Sequence, residues 1–251
     1  MITEVGDVKL IELTKEYLAV SCDSLGAIGE KKLDKVKVPT EWVGRVLSRV
    51  ALMELIALRI NPMLVVNTLS NELEPTGNKI ITGIKRELKT IDLDPNTSLT
   101  GSFEYNILTE ETAAGVTALG TIKKYPELGL GYEGMNFYLL GIPKVGNEVN
   151  LQDEDLADLP SVNELSKISE VKEIIPVGSK GIRAEAKVLA NRSNLIPKFL
   201  KNVSEDLLIK SAGPSTCVIF TTDNDGIQIV RELANTYNKP VLHLGQFVKE
   251  F

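Results

Sequence analysis

The chain predicts an α/β or α+β fold of two subdomains, and three observations carry that reading. Strand-like and helix-like segments alternate through both halves. The helical segments place apolar residues three and four apart, while the strand segments are short aliphatic runs. The pattern breaks once, over residues 123–134, where Lys-Lys-Tyr-Pro leads into Glu-Leu-Gly-Leu-Gly-Tyr-Glu-Gly. The subdomains are accordingly residues 1–125 and 126–251.

In order, residues 8–13 and 17–22 form two strands of a hairpin around Thr14-Lys-Glu16. After a polar stretch, Pro39-Thr40 opens the strongest helix, with Val43, Val46, Leu47, Val50, Ala57 and Leu58 on one stripe. Glu54 falls near the middle of that apolar stripe, whereas Arg45, Ser48 and Arg49 fall on the other side. Asn61-Pro62 stops the helix, and residues 63–68 read as a strand buried on both faces. A second helix spans about 76–89, with Ile80, Ile81, Ile84 and Leu88 inward and Lys79, Lys85, Arg86 and Lys89 toward solvent. Strands at 99–102 and 115–122 close the first half.

The second half opens with a strand at 136–142 and an acidic, loop-rich stretch at 148–158. A helix near 162–169, a strand at 172–177 and a helix at 181–192 follow. Strand 217–222, helix 226–237 and strand 240–244 end it.

Composition narrows the function. Of 251 residues, 43% are hydrophobic and 25% charged, which is ordinary for a globular protein with a substantial core. No apolar run approaches the roughly 18–20 residues of a membrane span, and Met1-Ile-Thr-Glu-Val lacks a signal-peptide pattern. A cytoplasmic protein with no membrane partner is expected. Net charge is −6 with no basic block, which speaks against nucleic acid. The single histidine, His243, sits in a strand-like run and reads as a core residue, so histidine-based chemistry is disfavoured. Cys22 and Cys217 lack metal-ligand spacing and read as buried thiols.

Chemistry therefore rests on carboxylates, lysines, backbone amides and a hard cation. Asp23 ends a strand and precedes Ser24-Leu-Gly26-Ala-Ile-Gly29, a turn whose glycines let backbone approach a ligand; a plain loop carboxylate is the alternative. Glu54, centred on an apolar face, needs a basic partner or a metal. Thr100-Gly101-Ser102-Phe-Glu104-Tyr-Asn106 suits a phosphate with its cation, or is an ordinary turn. Ser179-Lys180-Gly181 starts a helix, where free amides favour an anion, or is simply that start. Gly129-x-Gly131-x-x-Gly134 has the dinucleotide spacing in the wrong context, leading into a strand, and reads as a linker or mobile loop. Neither a Walker-type loop nor the protein-kinase signature set is present.

Taken in order, these segments resemble the aminoimidazole-ribonucleotide synthase (PurM-like) superfamily. Gly6-Asp7 lies where that family's Gly-Asp-Asp lies, and Ser-Cys-Asp23-Ser-Leu-Gly26 resembles its Thr-Asp-Gly-Val-Gly turn. Gly44 through Glu54-Leu55 parallels the helix ending in Asn-Asp-Leu, and Gly101-Ser-Phe-Glu104 stands for Gly-Gly-Glu-Thr. Ser179-Lys-Gly181 falls at the later Asp-Ile-Ser-Asp-Gly-Leu. Ser-Leu-Gly-Ala-Ile-Gly-Glu-Lys, Gly-Ser-x-Glu-x-Asn, Gly-Ser-Lys-Gly and Gly-Pro-Ser-Thr are most similar to the α-ribazole kinase branch. In departure from the family, one Asp stands at the first motif, Glu54 replaces Asp, Ile28 replaces a lysine, and Val177 and Lys180 replace two aspartates.

The resemblance implies an amino-terminal α/β domain whose strands form a barrel-like sheet across a homodimer, with a second α/β domain. It implies ATP and Mg²⁺ as cofactors and a small nucleoside-like substrate, α-ribazole, phosphorylated for cobalamin salvage. Asp7, Asp23, Glu54 and Glu104 would hold the metal; Gly26, Gly29, Gly101, Ser102, Asn106, Ser179 and Gly181 would line the nucleotide; Asp23 and Lys180 would be catalytic. An ATP-dependent synthase or cyclo-ligase, and a degenerate ATP-binding protein without catalysis, are the alternatives.

Overall fold

The computed structural model describes residues 1–223 and 225–250. They form two compact units, Met1–Ile56 with Ile60–Tyr125, and Ala57–Arg59 with the chain from Pro126 onward.

The first unit is a six-stranded sheet in the order β1-β2-β3-β8-β6-β7, with helices α1 and α2. β1 (Ile2–Val5), β2 (Val8–Glu12) and β3 (Tyr17–Gly26) make an antiparallel meander. Short β4 (Ile28–Gly29) and β5 (Val36–Lys37) pair in parallel and lead into α1 (Thr40–Ala57). β6 (Asn61–Glu72), α2 (Asn78–Lys89), α3 (Pro95–Ser98), β7 (Leu99–Glu104) and β8 (Ala113–Ile122) complete it. β3 and β6 each run antiparallel to β8, and β7 runs parallel to β6. The carboxyl ends of β3, β6 and β7 therefore share one edge of the sheet.

One face of this sheet is closed by helices. Ser21, Val65, Val116 and Ala118 are buried there, and the Ser21 hydroxyl donates to the Ala51 carbonyl of α1 at 2.6 Å. α1 and α2 touch backbone to backbone: a Cβ on Gly44 would lie 1.9 Å from the Ile80 carbonyl oxygen, and one on Gly83 would lie 1.9 Å from that of Glu41. On the opposite face Leu18, Val20, Leu64, Val66 and Leu119 are only half-buried.

The second unit is an antiparallel five-stranded sheet in the order β10-β12-β9-β13-β11. Its elements are β9 (Asn136–Gly141), α4 (Leu159–Lys167), β10 (Val171–Pro176), α5 (Gly181–Asn191) and β11 (Ile196–Phe199), then α6 (Glu205–Ile209), β12 (Cys217–Thr222), α7 (Gly226–Thr236) and β13 (Val241–Val248). Phe137, Leu139, Ile219 and Phe247 form a core with Ile182, Ala186 and Leu189 of α5 and Leu208 of α6. α4 and α7 pack against one another. β9 and β12, flanked by strands on both sides, are buried almost throughout, as central strands covered on two faces must be.

Several expectations are corrected. Arg45, Ser48 and Arg49, on the side of α1 away from its apolar stripe, are packed against α2: Ser48 and Arg49 are buried, and both arginines pair with Glu87 of α2. Asn61-Pro62 begins β6 as well as ending the helix, and the strand runs on to Glu72. Cys22 is exposed, because in β3 it alternates with the inward Ser21 and Asp23; Cys217 is buried, and burial pushes its thiol pKa up. The glycines at 129, 131 and 134 pack on the second unit: Gly131 N–H donates to the Ser193 hydroxyl and Gly134 N–H to the Phe247 carbonyl. His243 fits its reading, half-buried in β13, stacked on Tyr138 at 4.7 Å and bonded to Asn136 and the Gly245 carbonyl. Among the described residues, no helix is long and apolar enough to cross a membrane.

Candidate functional site

The edge shared by the carboxyl ends of β3, β6 and β7 gathers most of the first unit's candidate residues. Asp23 is on the last part of β3, two residues beyond the buried Ser21 and on the same face. Asp7 sits in the β1–β2 turn, made possible by Gly6 at φ 57°. β2 runs antiparallel to β3 with Lys9 opposite Val20, so this turn reaches the Asp23 end of β3. Burial raises the pKa of Asp23, and the nearby Asp7 charge raises it further against the lowering by the Ser24 backbone amide. A desolvated carboxylate beside a second one is a site short of positive charge.

One register row crosses the sheet as Asp23, Val116, Asn67, Gly101 on β3, β8, β6 and β7. Residues on one row point to one face, so the buried Asn67 carboxamide stands between Asp23 and Gly101 of β7. It covers Gly101 closely: a Cβ there would lie 2.4 Å from Asn67 Cγ. The glycine at 101 is thus required by the protein's own packing. An asparagine inside an apolar run carries no local signal, and only the cross-strand register gives Asn67 its place in the site.

Ser102 and Gly101 are exposed and Glu104 is half-buried, with its Oε1 accepting the Asn106 N–H at 2.7 Å. Gly26 is open, with nothing within 4 Å of a Cβ, whereas Gly29, at φ 150°, lies under Thr112 and Asp34. Glu54 is half-buried on α1, one turn beyond Ala51, the residue that meets β3 through Ser21. Asp7 and Asp23 are therefore brought together, with Glu54 on the covering helix and Glu104 at the same sheet edge. Among the described residues, no three carboxylate, histidine or cysteine side chains come close enough to hold a metal ion between them.

Ser179, Lys180 and Gly181 belong to the second unit. Ser179 and Lys180 are exposed at the amino end of α5, where Lys180 is the cap residue. Gly181 has φ 79°, and a Cβ on it would lie 2.9 Å from the Ile209 and Lys210 carbonyl oxygens, so this glycine too is demanded by packing. Val177, in place of a family aspartate, is fully buried in the apolar core.

By sequence alone, no family model and no curated protein matches the chain. Solved structures do match it. A thiamine-monophosphate kinase from Stenotrophomonas maltophilia K279a aligns with a TM-score of 0.64 at 16% identity, over 99% of this chain and 89% of its own. AaThiL, in complex with AMPPCP and TMP, aligns with a TM-score of 0.66 at 15% identity, over 97% and 85%. Thermotoga maritima PurL in complex with ATP aligns with a TM-score of 0.64 at 13% identity, over 98% of this chain but only 43% of its own. The chain therefore shares the α/β fold of these structures, the PurM-like fold expected from the sequence.

Proposed function

We propose that the chain is an ATP- and Mg²⁺-dependent phosphotransferase acting on a hydroxyl of a small nucleoside-like substrate, with α-ribazole the first to test. One observation carries this reading: Asp7 and Asp23 lie side by side at the end of the sheet where β7, with Gly101–Glu104, also finishes, in a fold shared with a kinase and with chains bound to ATP and AMPPCP. Phosphoryl transfer needs alignment and charge neutralisation more than acid–base side chains, which suits a chain with one histidine.

The donor set fits a hard cation: all are carboxylates, and burial makes ionisation of Asp23 costly, a cost that a cation would relieve. Asp23 and Asp7 are the central pair, with Glu54 and Glu104 contributing directly or through water. Mg²⁺ would neutralise the phosphate charge. Gly26 presents open backbone and Ser102 and Asn106 exposed short polar groups to a nucleotide; Gly101, closed on one side by Asn67, and Gly29 shape the backbone behind them. In the second unit, Ser179, Lys180 and Gly181 form a helix start where free amides and an ammonium favour an anion. The half-exposed aliphatic face of the first sheet supports a homodimer built through that face.

The likeness to PurL favours a second reading, an ATP-dependent synthase. Incubation with Mg-ATP and α-ribazole, followed by mass analysis, separates the two. ADP with a phosphorylated nucleoside supports the kinase; ADP and free phosphate with a ring-closed or C–N-coupled product supports the synthase. Binding of Mg-ATP with no turnover across a substrate panel removes both.

A further inference from the structure

The same sheet edge holds a cavity of about 190 Å³, lined by Glu30, Lys31, Thr40, Glu72, Thr76 and Lys79 among others. Its place is set by two strand ends. Glu72 ends β6 and is the register partner of Glu104 on β7, while Glu30 follows Gly29 at the end of β4. The cavity therefore lies within the first unit, at the end of the sheet where β6 and β7 finish.

Its charges cancel. Lys31 Nζ lies 2.6 Å from Glu72 Oε1, and Lys79 Nζ lies 2.7 Å from Glu30 Oε2. Glu72 is saturated: Oε1 accepts from Lys31 and the Thr76 hydroxyl, and Oε2 faces the Thr109 amide and hydroxyl. Glu30 Oε2 accepts from Lys79 and from the Thr40 amide and hydroxyl, while Glu30 Oε1 has no partner among the described residues. Lys79 makes one bond of a possible three, and Lys31 makes two, to Glu72 and the Thr109 carbonyl. The spare capacity is one carboxylate oxygen and three ammonium N–H groups around a space smaller than the pockets of roughly 300–1,000 Å³ that hold drug-sized ligands.

A hydroxyl both donates and accepts, so a vicinal diol can satisfy this set without adding charge. A free phosphate or carboxylate would add negative charge where both cations are already paired, and an amine would do the reverse. We propose that the cavity binds the vicinal diol of a pentose-sized group, with Glu30 Oε1 accepting from it and Lys79 and Lys31 donating to it. Naming that group the sugar of the phosphoryl acceptor rests on the phosphotransferase reading; the diol specificity does not.

Ligand-observed NMR on the full chain without nucleotide tests it, using methyl β-D-ribofuranoside, its 2-deoxy analogue, glycine and inorganic phosphate as probes. The riboside is expected to bind, the 2-deoxy analogue to bind about tenfold or more weakly, and Lys79→Met to abolish the riboside signal. The Lys79 side chain is half exposed, so this variant should melt as the native protein does. No riboside signal, equal signals for the two furanosides, an undiminished signal in Lys79→Met, or displacement of the riboside by glycine or phosphate overturns the proposal. Riboside binding in a chain that never turns over ATP would remove the kinase and leave the diol site standing.

Discussion

Arg49 Nε donates to Glu87 Oε1 at 2.7 Å, deep between α1 and α2, while Arg45 Nε donates to the other oxygen of the same carboxylate at 3.0 Å. The side chains are 5%, 11% and 1% exposed for Arg49, Arg45 and Glu87. One carboxylate thus balances two guanidinium groups that have little water to turn to. Glu87→Gln keeps the shape and removes the charge, leaving both cations uncompensated. A loss of about 3–5 kcal/mol in denaturant unfolding is expected, as for other broken buried pairs. Replacing all three residues by apolar ones of similar volume should cost far less, and equal losses for the two designs would refute this account.

Gly83 offers a contest between two effects of known size. In an exposed helix, Gly→Ala stabilises by about 1 kcal/mol. Here the new Cβ would stand 1.9 Å from the Glu41 carbonyl oxygen and 3.0 Å from the Arg45 amide, both backbone atoms that cannot swing aside. Overpacking of this kind costs about 1–3 kcal/mol or more, so sterics should win. Gly83→Ala is expected to lower the melting temperature; a rise would mean that α1 and α2 are further apart than described.

These two relationships show where sequence reading stops. The apolar stripes of α1 and α2, the β3 hairpin and the alternation in the second unit are periodic signals contained in short windows. The Arg45, Arg49 and Glu87 cluster is not, because a long charged side chain on a polar stripe is buried only when another helix supplies its partner. The same holds for Asn67, whose meaning comes from facing Gly101 across a strand pair. β1, β11 and α6 run for four, four and five residues, too short for either period to register. Asp7, Asp23 and Glu104 stand out in sequence because each is an acidic residue near glycine at the end of an apolar run, although Asp23 and Glu104 belong to β3 and β7 themselves and not to the turns expected there. The cavity at Glu30 and Lys79 was not, since its lining comes from four separate stretches of chain.

Acid should unlock the Lys31–Glu72 clasp. Burial alone would raise the Glu72 carboxyl, but the Lys31 ammonium, the Thr76 hydroxyl and backbone amides hold it at about 2. A carboxyl depressed in the folded state stabilises the fold above its unfolded pKa of about 4.3, and that contribution is lost as pH falls toward 2. Glu72→Gln should therefore lose about 1–3 kcal/mol at pH 7 and show a shallower decline in stability on the acid side. Parallel acid titrations of native and variant, followed by circular dichroism, check this; parallel curves with a constant offset would rule it out.

Asp23 has the opposite sign. Its pKa is raised by burial and by Asp7, so ionisation of this carboxyl is harder in the fold than in the unfolded chain. A carboxyl raised on folding adds stability that is fully present below its unfolded pKa of about 4 and is lost as pH rises through the folded value. At neutral pH the ionised side chain costs the fold stability. Asp23→Asn should melt higher than the native protein at pH 7, and the difference should shrink as pH falls below about 4. With Mg-ATP the order should reverse, because a cation that binds only the native carboxylates stabilises only that protein. Turnover should fall by about 10²-fold or more, the usual loss when a charge-stabilising group is removed from a phosphoryl-transfer or acyl-transfer site. A variant that melts lower without ligand, or that gains as much from Mg-ATP as the native chain, would show that Asp23 serves the fold and not the metal.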